Sequence, residues 1–216
     1  MITDRDFERL ADDPRLGLAD SCRRVIDELA RSTADPQAFV AAAALVRQAA
    51  DLLAAGTHGR EYGGAEASLA AYRDHLFIDH SPLAGPLNPL AAPMHLSMEG
   101  QEAVGVVTFG AAYEGPPGHV HGGYVAAAFD EVLGMVQGTT GNPGMTRFLD
   151  VQYRSPTPLH QPLVFRGRVD RVEGRKIFVT GDLRVQADGR LCAESSALFV
   201  SVDFSTFERL MSERGG

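Results

Sequence analysis

The stretch from Gly115 to Gln137, GPPGHVHGGYVAAAFDEVLGMVQ, limits what this chain can fold into more than any other. From Val125 to Val136 its only polar residues are Asp130 and Glu131. An apolar segment of this length entered through a Gly-Gly pair predicts a long helix that is largely buried, because polar groups occupy so little of its circumference. Val125, Phe129, Val132 and Val136 fall at i, i+4, i+7 and i+11 and form the stripe that a covering layer must receive.

The flanking sequence supplies that layer. Before the helix, Glu102 to Gly110 (EAVGVVTFG) is β-branched and apolar. After it come four strand-like runs: Thr146 to Tyr153, Leu163 to Val172, Lys176 to Val185 and Leu191 to Val202. Glu173-Gly174 and Asp188-Gly189 read as tight turns between the last three. The expected order is strand, helix, then an antiparallel meander of four strands packed on one helix. The sheet's other face or edge stays available, so a dimer is expected.

The N-terminal region has a different texture. Ser21 is positioned to cap a helix bearing Val25, Ile26 and Leu29. Asp35-Pro36 supplies an N-cap and a first-turn proline for a second helix. Phe39, Ala43, Val46, Ala50 and Leu53 trace one face of it, and Gly56 ends it. A polar, glycine-rich loop from Thr57 to Gly64 follows, then a weaker helical pattern from Ala65 to Leu76. Pro82, Pro86, Pro89 and Pro93 mark an ordered connector between His80 and Met94. The expected division is a helical extension over 1–79, one domain over 80–205 and a short tail over 206–216.

Several function classes are disfavoured. A formal charge of −8 argues against a nucleic-acid surface, which needs a basic stripe. No apolar run approaches the ~20 residues a membrane-spanning helix requires, so no span is expected. The acidic, polar N-terminus does not resemble a secretory signal, and Cys22 and Cys192 stand far apart, which fits a cytoplasmic setting. Motifs for a phosphate loop, a nucleophile elbow, a zinc helix or a dinucleotide fold are missing from the sequence. His119 and His121 share a face of an extended segment, but two histidines without a third ligand predict no metal site.

The chemistry concentrates in the opening stretch. Gly122 and Gly123 begin the helix, so their N–H groups lie at the positive end of its dipole, where an anion or developing oxyanion is stabilised. Asp130 follows Gly123 by seven residues, two turns along the same face. That face, Gly123, Ala126, Ala127, Asp130, Gly134 and Gln137, is small and leaves room for a substrate or a second subunit. No cation lies three or four residues from Asp130, so it needs a distant partner, a cleft or a functional reason. Pairing with an arginine from another strand is the bland alternative. For Glu131 a solvated or subunit-contact role is expected.

The G-x-P-G-x-x-HGG entry, the aspartate nine residues after the histidine and the four following strands resemble the hotdog-fold acyl-CoA thioesterases, in the PaaI-like branch and its THEM-type relatives. Met145-Thr146, Tyr153-Arg154-Ser155-Pro156 and Val172 to Lys176 belong to the same likeness, which runs from about Ser81 to Phe204. It implies an α+β hotdog domain, an antiparallel curved sheet wrapped around a long central helix, with the N-terminal helices outside it. It also implies a homodimer, or a dimer of dimers, with active sites at the interface. By position Asp130 becomes general base or nucleophile, and Gly122 and Gly123 become the oxyanion amides. His121 orients the thioester or the glycine loop, and Thr146 hydrogen-bonds the attacking water or the carboxylate. Where some relatives carry an asparagine six residues before the histidine, this chain has Gly115. No cofactor is expected, since coenzyme A is part of the substrate; Arg154, Arg175 and Lys176 are candidates for its phosphates. Two rival readings are an acyl-CoA sensor without turnover and a hotdog hydratase or dehydratase.

Overall fold

The computed structural model describes residues 10–56, 76–141 and 144–201. Among these residues three α-helices and six strands follow in order: α1 (Pro14–Arg31), α2 (Pro36–Ala54), β1 (His95–Glu99), β2 (Glu102–Val107), α3 (Gly122–Gly138), β3 (Gly144–Tyr153), β4 (Leu163–Glu173), β5 (Lys176–Val185) and β6 (Leu191–Ser201). The strands form one antiparallel sheet in the order β1-β2-β4-β5-β6-β3. With α3 packed across it, this is the α+β hotdog arrangement.

The expected stripe is the buried one. Phe129, Val132 and Val136 are fully enclosed and Val125 almost so. Phe129 meets Phe165 of β4 edge to face, with ring centroids 5.0 Å apart. The helix comes this close because three glycines lie beneath it. A β-carbon on Gly105 would stand 2.8 Å from Val132, and one on Gly167 or Gly181 would stand 3.0 or 3.1 Å from Leu133. Gly167 and Gly181 are direct cross-strand partners, so they form one shallow depression across β4 and β5.

The topology departs from expectation in two ways. His95–Glu99, a run for which the sequence suggests no element, is a strand paired with β2 through the tight turn at Gly100 (φ 64°). The four later strands are not one meander: β4, β5 and β6 run consecutively, but β3 crosses to the far edge beside β6. The helix causes this, because it carries the chain across the sheet before β3 begins. Gly174 and Gly189 do close the two hairpins, at φ 58° and 69°.

In the extension, α1 begins at Pro14 with Asp13 as N-cap, roughly two turns earlier than expected. Ser21 lies inside the helix, and its hydroxyl donates to Gly17 O at 2.8 Å. Helix α2 starts as expected, with Asp35 accepting from Ala38 N at 2.9 Å. Its stripe is not a packed face, however: no residue of α2 is buried. By length and composition alone it is apolar enough to cross a membrane, though it carries Arg47 and Asp51. The loop and helix expected over 57–75 and the tail over 206–216 lie outside the described residues.

The glycine depression makes a stability prediction. In Gly181→Ala the new β-carbon would lie 2.4 Å from the Arg166 carbonyl oxygen, which belongs to the backbone and has little room to yield. Urea unfolding should show a loss of about 1–3 kcal/mol. Unchanged stability would mean that β4 and β5 do not hold α3 this closely.

Candidate active site

Helix α3 has three faces with different surroundings. Val125, Phe129, Val132 and Val136 meet the sheet. Tyr124 and Ala128 face Pro82, Leu83 and Leu90 of the connector across a small apolar cavity. The third face carries Gly123, Ala126, Ala127, Asp130 and Gly134, all exposed or half-buried. A β-carbon on Gly134 would touch nothing, so this side is open. Gln137, assigned to the same face, departs from it: it is buried, and its side-chain oxygen lies against Gly144.

The helix entry is built by a hairpin-like loop. Glu114 and Val120 form an isolated antiparallel bridge, Gly115 N donates to His119 O at 2.9 Å, and His121 N donates to Tyr113 O at 2.9 Å. Gly118 takes φ 76°, and its N–H is held by the Glu114 carboxylate at 2.6 Å. His119 turns away, its Nδ1 2.8 Å from Pro117 O, and among the described residues no group of ligands could hold a metal.

His121 is the N-cap of α3. Its Nδ1 accepts from Gly123 N at 3.0 Å, which fixes the ring and orients the glycine loop. The two glycine amides therefore differ: Gly123 N–H is taken by the histidine, whereas Gly122 N–H has no partner among the described residues. The Tyr153 hydroxyl donates to Gly122 O at 2.7 Å, and a β-carbon on Gly122 would stand 3.1 Å from that hydroxyl oxygen. The sequence marks Tyr153 as a strand end within the family likeness; its contact with Gly122 comes from β3 running beside the helix, which spacing does not reveal.

Asp130 meets Thr146 as the resemblance implied. Thr146 Oγ1 donates to Asp130 Oδ1 at 2.9 Å, and no arginine bonds this carboxylate among the described residues. Glu131 is half-buried, and the Ser81 hydroxyl donates to its carboxylate, a bond within the chain that the expectation did not include. That Ser81 oxygen also faces Leu83 N and Ala84 N, each at 3.2 Å, so the connector is stapled to α3 at Glu131. Burial pushes the Glu131 carboxyl above its usual range, Ser81 acts against the rise, and neighbouring Asp130 adds to it.

The three basic candidates do not gather in one chain. Arg154 follows the end of β3 near Gly122 and pairs with Glu194 at 2.7 Å. Arg175 donates to Ser201 O at 3.0 Å, opposite the start of β3, and Lys176 lies exposed beside it. The ten-residue length of β3 separates the two groups by roughly 30 Å.

The sequence pattern of the thioesterase superfamily matches residues 117–193, which span the helix entry, Asp130 and Thr146. A thioesterase superfamily protein of known crystal structure is 35% identical, with a TM-score of 0.74 over 88% of this chain and 96% of that one. The chain belongs to the thioesterase superfamily. The acyl-coenzyme A thioesterase THEM4 of Xenopus laevis is 36% identical over 89 residues, 41% of this chain and 40% of that one. THEM4 of Bos taurus is 34% identical over 90 residues (42% and 37%), and THEM5 of Homo sapiens 27% over 93 (43% and 38%). The matched segment thus spans about two-fifths of these curated relatives.

The buried acid makes a pH prediction. Glu131's folded-state value is raised, so its contribution to stability is present at acid pH and is lost as pH rises through that value. Glu131→Gln keeps an acceptor for Ser81 but cannot ionise. As pH rises out of the range in which the carboxyl is protonated in both states, the Tm of the parent should fall relative to that of the variant. Parallel curves would show that Glu131 is not buried in this way.

Proposed function

We propose that this superfamily member is an acyl-CoA thioesterase that hydrolyses the thioester to a carboxylic acid and coenzyme A. The observation that carries the reading is Asp130: a half-buried carboxylate on the open, small-residue face of α3, with Thr146 as partner and no cation bonded to it among the described residues. Asp130 takes the proton of an attacking water, or attacks the carbonyl itself, and Thr146 aims its free oxygen. Gly122 N–H, at the positive end of the helix, stabilises the oxyanion. Gly123 N–H joins it when the His121 ring yields that amide; otherwise Gly123's contribution is to let the substrate approach.

Within one chain these groups are too far apart. Gly122 and Asp130 are separated by eight residues of helix, about 12 Å of rise, whereas one carbonyl must meet its base and its oxyanion donor within roughly 3 Å of each. The arrangement of β3 supports a remedy. It is an edge strand with Met145, Phe148 and Tyr153 more than half exposed. Gly122 lies beside its end and Asp130 beside its start. If two copies pair through β3 in antiparallel fashion, each strand's start meets the other's end. Asp130 of one protomer then approaches Gly122 of its partner, and Arg175 and Lys176 approach Arg154 to make one basic rim for the phosphates. We therefore infer a homodimer, alone or as a pair of dimers, with acyl-CoA as its ligand. Coenzyme A arrives with the substrate, and two free cysteines suit a cytoplasmic setting.

Asp130→Asn should lower kcat for acyl-CoA hydrolysis by about 10²- to 10⁴-fold while preserving fold and dimer. Wild-type turnover by that variant sinks the mechanism. Phe148→Arg on the edge strand should give monomers in sedimentation that have lost hydrolysis; active monomers would show that one chain suffices.

A further inference from the structure

The N-terminal extension is linked to the helix entry of the site through one carboxylate and a short turn. Two groups of hydrogen bonds fasten the middle of helix α1 among the described residues. Arg23 donates to Pro86 O at 2.8 Å and to Asn88 O at 2.9 Å, gripping the connector. One turn later Asp27 Oδ1 accepts from Ala111 N at 2.8 Å. Ala111 opens the short 3-10 turn Ala111–Tyr113, whose preceding residue, Gly110, offers no side chain to cap it. Asp27 performs that capping from another element. Gly110 suits the contact, because a β-carbon there would stand 2.6 Å from Asp27 Oδ1.

What the turn holds is the helix entry. Tyr113 closes it by donating N–H to Gly110 O at 3.2 Å, and Tyr113 O accepts from His121 N at 2.9 Å. The Tyr113 ring packs edge to face on Tyr124, with centroids 4.9 Å apart. His121 in turn caps Gly123. An unbroken series of contacts thus runs from Asp27 through Ala111, Tyr113 and His121 to the glycine amides. We propose that Asp27 is a positioning residue for the oxyanion loop, acting through the 3-10 turn, and that holding this loop is the function of α1. This rests on the thioesterase reading above.

The contact requires an acceptor at Oδ1, not a charge, which gives the test its shape. With octanoyl-CoA as probe, Asp27→Ala should lower kcat between about tenfold and about 100-fold with KM little changed, as expected for a displaced group rather than lost substrate binding. Asp27→Asn keeps the acceptor and should restore kcat to near the parent value. Gly110→Ala, which pushes on the carboxylate, should reproduce Asp27→Ala. Amide hydrogen exchange supplies a readout independent of turnover: Ala111 and His121 N–H should exchange faster in Asp27→Ala than in Asp27→Asn. The inference is overturned if Asp27→Ala, folded and with parental oligomeric state, keeps both parental kcat and parental exchange. It is also overturned if Asp27→Asn is as defective as Asp27→Ala, for then the charge and its Arg31 neighbour matter instead. Loss of activity in Asp130→Asn alongside normal Asp27→Ala defeats this inference alone. Full activity in Asp130→Asn defeats the mechanism beneath it, and the exchange comparison still decides the role of Asp27.

Discussion

The close approach of α3 to the sheet, with Leu133 over Gly167 and Gly181 and Val132 over Gly105, sets the position of every group in the site. Burying Phe129, Val132, Leu133 and Val136 contributes about 1.5–3 kcal/mol each, and glycines let the helix settle deeply enough to collect it. Once the apolar side is fixed, rotation about the helix axis is fixed too. The small face must then point away from the sheet's centre, toward the edge strand β3. That orientation brings Thr146 to Asp130 and Tyr153 to Gly122 without any further device.

The same constraint explains why two neighbouring acids have different fates. Asp130 and Glu131 are one residue apart, about 100° around the helix. That rotation takes Asp130 to the open face beside β3 and Glu131 under the connector, where Ser81 receives it. Burial then favours the neutral form of Glu131 and suits it to fasten a neighbouring segment. A proton acceptor for chemistry needs access, and of the two Asp130 stands on the open face beside Gly134.

Much of this was legible in the sequence, for identifiable reasons. The buried stripe of α3, the hairpins at Gly174 and Gly189 and the start of α2 at Asp35-Pro36 all depend on local period or capping chemistry, which spacing records. Thr146 beside Asp130 was reached by resemblance. What escaped depends on contacts between distant segments. The short run His95–Glu99 carries little periodicity and becomes a strand because β2 pairs with it. The transfer of β3 to the far edge is a property of the path of α3 across the sheet, not of β3 itself. Ser81 with Glu131, fifty residues apart, and Asp27 with Ala111, eighty-four apart, leave no pattern for a single sequence to show.

Helix α1 illustrates a further distinction between holding a fold together and holding a loop in place. Among its described residues only Ala19 is buried, so apolar packing gives the helix little grip. Its attachment is polar: a guanidinium on two carbonyls and a carboxylate on one amide. Net contributions of such bonds are modest, about 1.5–3 kcal/mol for each charged one, because water competes for the same groups. Their directionality is not modest. A hydrogen bond fixes a donor within a few tenths of an ångström, whereas apolar contact tolerates sliding. An element joined in this manner adds little to stability and much to the placement of what it touches. In this chain it touches the turn that carries the carbonyl partner of His121.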